Sequence, residues 1–295
     1  MPTTQKSDLI IPEVFAEEFV KGIAGMNVLN GSGVFSTNTG LQSGGASGVG
    51  QDVTIPYFDS IGKAQEVPAG GALVPKKQTM SSEKATVRHI GDAISMSGWA
   101  QKAKTTGRSI YDIGIEQLRM SLAAKLEDMC MDAIVARAVA ASMVADGSGG
   151  TFARTTPASV LKLLGDELEL GGMPALWAMN SKVYWDLAGL EDTTNRTLFT
   201  PAQGEMLARL GGVPVKMSDR STMLVPSTSP QQYYSPLAKR NAGAIWIDNT
   251  ALSIEIDRDS LADADMLVCH VYCVVHVYSV MNGGTKCGVA AVKTL

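Results

Sequence analysis

The sequence predicts a mixed α+β protein, on three observations. The run from Ser109 to Asp146 keeps Leu118, Leu122, Leu126, Met129 and Ala133 on one face at helical spacing. Residues 244–292 instead carry strand-length runs rich in Val, Ile and Tyr. Between them, residues 156–217 alternate helix and strand signals.

Taken in order, residues 8–24 set Val14, Phe15, Phe19 and Ile23 at helical spacing with Pro12 in the first turn, which predicts a short amphipathic helix. Gly31 to Gly50 holds seven glycines among small polar residues, too little apolar surface to order itself, and reads as an arm or tether. Val53 to Phe58 is strand-like, but Pro56 has no N–H for a ladder, so this is an edge strand. A loop rich in Gly, Ala, Pro and Lys fills residues 61–82. Ala85 to Trp99 then resumes an extended pattern, so the whole forms a long two-armed excursion.

Ser109 and Asp112 form a capping box, and Gly147 is the expected end of the long helix. At 1.5 Å per residue, roughly 35 helical residues span about 50 Å, the length of a spine. Thr156-Pro157 opens a helix through Val160, Leu161, Leu164 and Leu168 that closes at Gly171-Gly172. A buried strand is expected at Ala175 to Met179, a helix capped by Ser181 up to Leu190, and a strand at Gly212 to Met217. Further strands follow at Ala244–Ile247, Leu252–Ile256, Met266–Val280 and Cys287–Val292, the last after an Asn282-Gly283-Gly284 turn.

Composition narrows the function classes. A net charge of −4 with no basic run argues against a protein that grips nucleic acid by counterion release. Charged residues make up 18%, below the roughly 25% usual for soluble domains, which suits a surface that meets other protein. The N-terminus shows no apolar leader, and four cysteines in 295 residues do not make a disulfide framework, so a reducing cytoplasm is expected. The uncharged stretch Met266 to Met281 is too short to cross a membrane.

Catalytic and ligand motifs do not survive geometry. Cys269, His270, Cys273 and His276 look like metal ligands, but on a strand the two cysteines stand about 13 Å apart and the two histidines about 20 Å apart. The expected arrangement is thiols on one face, with tyrosines and histidines on the other. The acidic run Asp257 to Asp265 has Leu261 where a calcium ligand belongs and no glycine, so a solvated turn is expected. Gly31-Ser32-Gly33 and Gly62-Lys63 both fail as phosphate loops, and no serine sits in a nucleophile elbow. Glu127 with Asp128, and Glu167 with Glu169, fall on helices whose charged faces normally meet water. No catalytic residue, cofactor or metal is expected.

The order of features carries more information than any motif. It runs through Val53-Thr54-Ile55-Pro56-Tyr57-Phe58-Asp59, Val87-Arg88-His89-Ile90-Gly91, Leu176-Trp177-Ala178-Met179-Asn180 and Gly212-Val213-Pro214-Val215-Lys216-Met217-Ser218-Asp219. Across residues 8–295 this order resembles the Hong Kong 97-type fold of tailed-bacteriophage major capsid proteins. The resemblance implies an N-terminal arm at 1–50 and an extended β-hairpin loop at 51–98. It further implies a spine helix with peripheral domain at 99–150, an α/β axial domain at 151–243, and returning strands at 244–295 that complete the peripheral domain.

It also implies a structural subunit, not an enzyme, that assembles with itself as hexamers and pentamers into an icosahedral shell around double-stranded DNA contacted loosely. Partners so implied are a separate scaffolding protein, a portal and a maturation protease, with no membrane. The location is the virion, assembled in the cytoplasm of the bacterial host. Expected subunit-interface residues are Phe15, Phe19, Tyr57, Phe58, Lys76, Lys77, Arg88 and His89. Two rivals are a bacterial encapsulin-type nanocompartment shell of the same fold and an α/β enzyme or ligand-binding protein built on residues 151–243.

Overall fold

A computed structural model describes residues 29, 32–38, 52–58, 64, 66–67, 71–73, 75–97, 110–146, 174–188, 209–210, 213–218, 223–226, 228–247, 253–259, 264–279 and 287–294. In chain order its elements are β1 (Phe35–Asn38), β2 (Asp52–Phe58), β3 (Met80–Thr86), β4 (Arg88–Ser97), α1 (Ile110–Ala140), β5 (Val144–Asp146), β6 (Leu176–Met179), α2 (Ser181–Ala188), β7 (Arg209–Leu210), β8 (Val213–Met217), β9 (Tyr233–Ala238), β10 (Gly243–Ile247), β11 (Ser253–Asp259), β12 (Ala264–Val277) and β13 (Val289–Thr294). The helices predicted over 8–24 and 156–172, the turn at 282–284, and Glu167 and Glu169 lie outside the described residues.

Helix α1 organises the core, because its middle carries a wide apolar surface and keeps only the stripe through Lys125, Asp132 and Ala136 exposed. Leu126, Met129, Cys130, Met131, Ile134 and Val135 are all buried. Such a helix needs cover on two sides, and two sheets supply it. A five-stranded sheet contributes Ile245, Ile247, Leu267, Cys269, Val271 and Cys273, and a six-stranded sheet contributes Leu176, Ala178, Ala238, Val289, Ala290 and Ala291. Glu127 is buried within this middle stretch, at 4% exposure, so it does not sit on a solvated face as its spacing predicts.

The helix is shorter than expected. It stops at Ala140, before Gly147, because Ser142 takes the left-handed conformation with φ of 56°. The Met143 N–H then donates to the Ala138 carbonyl at 2.8 Å and the Ser142 N–H to the Val139 carbonyl at 3.1 Å, which closes the helix in a Schellman turn. Burial of Met143 anchors that turn, and the freed residues Val144–Asp146 become strand β5.

The five-stranded sheet is built on β12. Along one edge β10 pairs with residues 277–273 and β11 with residues 270–264, both antiparallel. Along the other edge β4 runs antiparallel from Arg88 opposite Cys273 to Ser97 opposite Ala264. The strand expected over 85–99 therefore begins earlier, at Met80, and is broken at Val87 into β3 and β4. The acidic segment 257–265 is likewise mostly strand: Asp257, Arg258 and Asp259 face Met266, Asp265 and Ala264. Asp265 is buried and accepts a hydrogen bond from Tyr111 at the start of α1, so it is not part of a solvated turn.

Part of the glycine-rich segment is ordered against expectation. Strand β1 pairs in parallel with β10, with Val34 and Phe35 buried. The reason is a borrowed partner: Phe35 lies over Gly243, where an added Cβ would come within 2.6 Å of the Phe35 ring and of the His276 carbonyl.

The six-stranded sheet runs β5-β13-β9-β6-β8-β7. Its other face packs Trp177, Met179, Val213, Val215, Leu237 and Val292 against Val183 and Tyr184 of α2. The cap of α2 is Asn180, whose Oδ1 accepts from the Lys182 N–H at 3.0 Å, so Ser181 is the first helical residue and not the cap.

Gly243→Ala is expected to lower stability by about 1–3 kcal/mol, since a backbone carbonyl must move to admit the methyl. An unchanged urea midpoint would show that the Phe35–Gly243 packing does not hold β1 in place.

Candidate functional site

Strands β2 and β3 form a two-stranded hairpin that belongs to neither sheet, with Asp52 opposite Thr86 and Phe58 opposite Met80. Pro56 is accommodated because β2 pairs only with β3 among the described residues, as expected of an edge strand. Alternation gives the hairpin two unlike faces. Val53, Ile55, Ala85 and Val87 turn toward the body and pack on Val274, Trp246 and Tyr278. Ser82, Lys84 and Thr86 are exposed on the other side.

Glu83 lies on the inward face, opposite Ile55 in the register. Its Oε2 is 2.6 Å from His276 Nε2 of β12 and 3.6 Å from Arg137 Nη2 of α1. Its Oε1 accepts from the Ser279 N–H at 3.1 Å and from the Ser279 hydroxyl. Arg137 also donates Nε and Nη2 to the Val277 carbonyl, each at 3.2 Å. One carboxylate thus joins the hairpin to a helix, a strand and the turn after it. Burial pushes the Glu83 carboxyl up, but the hydrogen bonds from Ser279 and His276 and the charge of His276 outweigh it and hold the group below its usual value.

Beyond the hairpin, the outer face of β12 carries an aromatic stack. His89 on β4 packs on Tyr272, with ring centroids 4.5 Å apart, and on His270 at 5.0 Å. Gly91 opposite His270 leaves room for that ring, since a Cβ there would fall 2.7 Å from His270 Nδ1. On the other face Cys269 and Cys273 are buried against α1, and burial pushes both thiols up to about 11. The strand faces are therefore as expected: thiols inward, and His270 and Tyr272 outward. Among the described residues no group of three or more His, Cys, Asp or Glu gathers where it could hold a metal ion.

The residues expected at a subunit interface are spread over these features. Phe15 and Phe19 lie outside the described residues. Tyr57 and Phe58 pair with Ser81 and Met80 at the far end of the hairpin. Lys76 and Lys77 are exposed in the segment joining β2 to β3. Arg88 starts β4 exposed, and its charge acts on Asp132 of α1 and on Cys273. His89 is in the stack. Sequence reasoning misses Glu83, Ser279 and Arg137, although Glu83 shares strand parity with Ala85 and Val87, a carboxylate on an otherwise apolar face. His276 stands out in the sequence only as a metal candidate.

Because the folded Glu83 carboxyl is more acidic than its ordinary 4.5, its contribution to stability is fully present above that value and is lost as pH falls through the lower folded value. The stability gap between the wild type and Glu83→Gln, followed by urea unfolding from about pH 7 to about pH 3, is expected to be flat at first and to close at the acid end. A gap that widens on acidification would contradict this ionisation.

No helix among the described residues is long and apolar enough to cross a membrane. No family model matches the sequence, and no curated protein matches it. Solved structures do. A chain of Microbacterium phage Oxtober96 superposes with a TM-score of 0.66 at 13% identity, over 100% of this chain and 96% of that one. A chain from the capsid of an empty GTA particle gives 0.63 at 13% identity, over 91% of this chain and 90% of that one. A chain from the capsid of Ralstonia phage GP4 gives 0.57 at 12% identity, over 89% and 87%. Over about nine-tenths of its length or more, then, the protein has the fold of chains from phage and GTA particles, two of them from capsids.

Proposed function

We propose that the protein is the major capsid subunit of a tailed bacteriophage, with the Hong Kong 97-type arrangement of arm, extended hairpin, spine helix, peripheral domain and axial domain. The observation that carries this reading is the similarity in fold to a phage chain over the whole length and to a chain from a phage capsid over 89% of it. In this reading residues 1–50 are the arm, 51–98 the extended loop, 151–243 the axial domain, and 99–150 with 244–295 the spine and peripheral domain. The work of the molecule is assembly, not catalysis.

Two physical features support it. The hairpin stands apart from both sheets and carries exposed apolar side chains beyond its root, with Leu73 at 73% and Met80 at 65% exposure. A lone subunit leaves such surface in water, whereas neighbours in a shell cover it. The net charge of −4 suits a container whose wall must not bind the double-stranded DNA inside. Phe15, Phe19, Tyr57, Phe58, Lys76, Lys77, Arg88 and His89 are the proposed contacts between subunits. Hexamers and pentamers of this chain, a separate scaffolding protein, a portal and a maturation protease complete the proposed assembly, built in the host cytoplasm and ending in the virion.

Light scattering and negative-stain imaging of the purified protein, alone and with a co-expressed scaffold, are expected to give closed megadalton shells. Stable small oligomers under both conditions would sink the reading. Deleting residues 61–79 is expected to leave a cooperative thermal melt but no closed shells, and normal shells from that deletion would remove the hairpin from assembly.

A further inference from the structure

We infer that the β2–β3 hairpin is a hinged arm with two states, docked or free, and that Glu83 is the latch that holds it docked. The hairpin is linked to the five-stranded sheet through Val87, the one residue between β3 and β4. At its root the Thr86 hydroxyl donates to Asp52 Oδ1 at 2.9 Å and ties the two strands together, so they move as one piece. Among the described residues the hairpin is held to the body chiefly by an apolar pad, Val53, Ile55, Ala85 and Val87 on Val274, Trp246 and Tyr278, and by the carboxylate of Glu83. The pad is separate from the core around α1, so its opening leaves the body intact.

The latch has no intermediate position. Inward-facing residues recur every second position along a strand, about 6.5–7 Å apart. The inward neighbours of Glu83 are Ser81 and Ala85, neither of which carries a carboxylate. Sliding the hairpin by one such step leaves His276, Ser279 and Arg137 without their acceptor, so the contacts form together or break together. Release is nonetheless accessible, because the freed carboxylate enters water and is solvated there. Arg137 keeps its bonds to the Val277 carbonyl in either state, which leaves the end of α1 seated when the arm is free.

That the arm serves assembly rests on the capsid reading; the latch itself is measured in the unassembled subunit. Hydrogen exchange read by mass spectrometry is compared for wild type, Glu83→Ala and the milder Ser279→Ala. For Glu83→Ala, exchange in residues 52–58 and 80–86 is expected to rise about tenfold or more, as loss of a charge-assisted bond network implies, while residues 110–140 and 287–294 keep wild-type rates. Ser279→Ala is expected to give a smaller rise in the same two segments.

Unchanged exchange in the hairpin would overturn the inference, and so would a rise spread evenly through residues 110–140, which would make Glu83 an ordinary part of the folded body. Should Glu83→Ala not fold, the Ser279→Ala comparison decides by the same criterion. A wild-type chain that forms no shells refutes the capsid reading without touching the latch, and an unlatched hairpin in a chain that does form shells refutes the latch alone.

Discussion

Burial of α1 from two sides is the constraint on which the rest of the structure depends. Its central turns leave only one stripe in water, through Ser121, Lys125, Asp132 and Ala136, and most of the remaining surface is apolar and wider than one sheet can cover. Both must be present, and each must present an apolar surface at the right height. Small residues on β13, Ala290 and Ala291, let one sheet approach closely, while Leu267 and Val271 fill the space on the other side. Polar contacts then fix the register: Tyr111 to Asp265 near the first turn, Ser121 to Asp92 further on, and Arg137 to the Val277 carbonyl in the last. These ties set how far the helix can slide, while the apolar core supplies most of the stability.

The hairpin obeys a different balance. It shares no ladder with either sheet and buries only a few side chains, so its attachment is local and separable from the fold of the body. Taking a carboxylate out of water is costly without partners, and half-buried Glu83 has hydrogen bonds to His276 and Ser279 and an ion pair with Arg137. The chain thus combines a body held by bulk burial with an appendage held by geometry.

Much of the body is legible in the sequence. Apolar spacing reveals α1, and the alternation of thiols with tyrosines and histidines is enough to assign the two faces of β12. The end of α1 is hidden, because Ser142 carries no chain-breaking signature and its left-handed turn is stabilised by Met143 reaching the core. Strand β1 is hidden for a related reason: Val34 and Phe35 have no periodic partners nearby, and their cover comes from Gly243, about two hundred residues on. The Glu83 cluster needs four elements to meet, although its odd placement on the inward face of a strand is readable. Arg88 and His89 stand out within a basic extended segment, and their separation onto opposite faces of β4 follows from strand alternation once the register is known.

The length of β12 has a mechanical consequence. Its 14 residues are flanked by β4 along one edge and by β10 and β11 along the other, with hydrogen bonds perpendicular to the strand. A pull along its axis therefore loads those bonds in shear, where many must fail at once, and not by unzipping them singly. The sheet is stiff along the direction of its longest strand and yields far more easily when peeled from an edge.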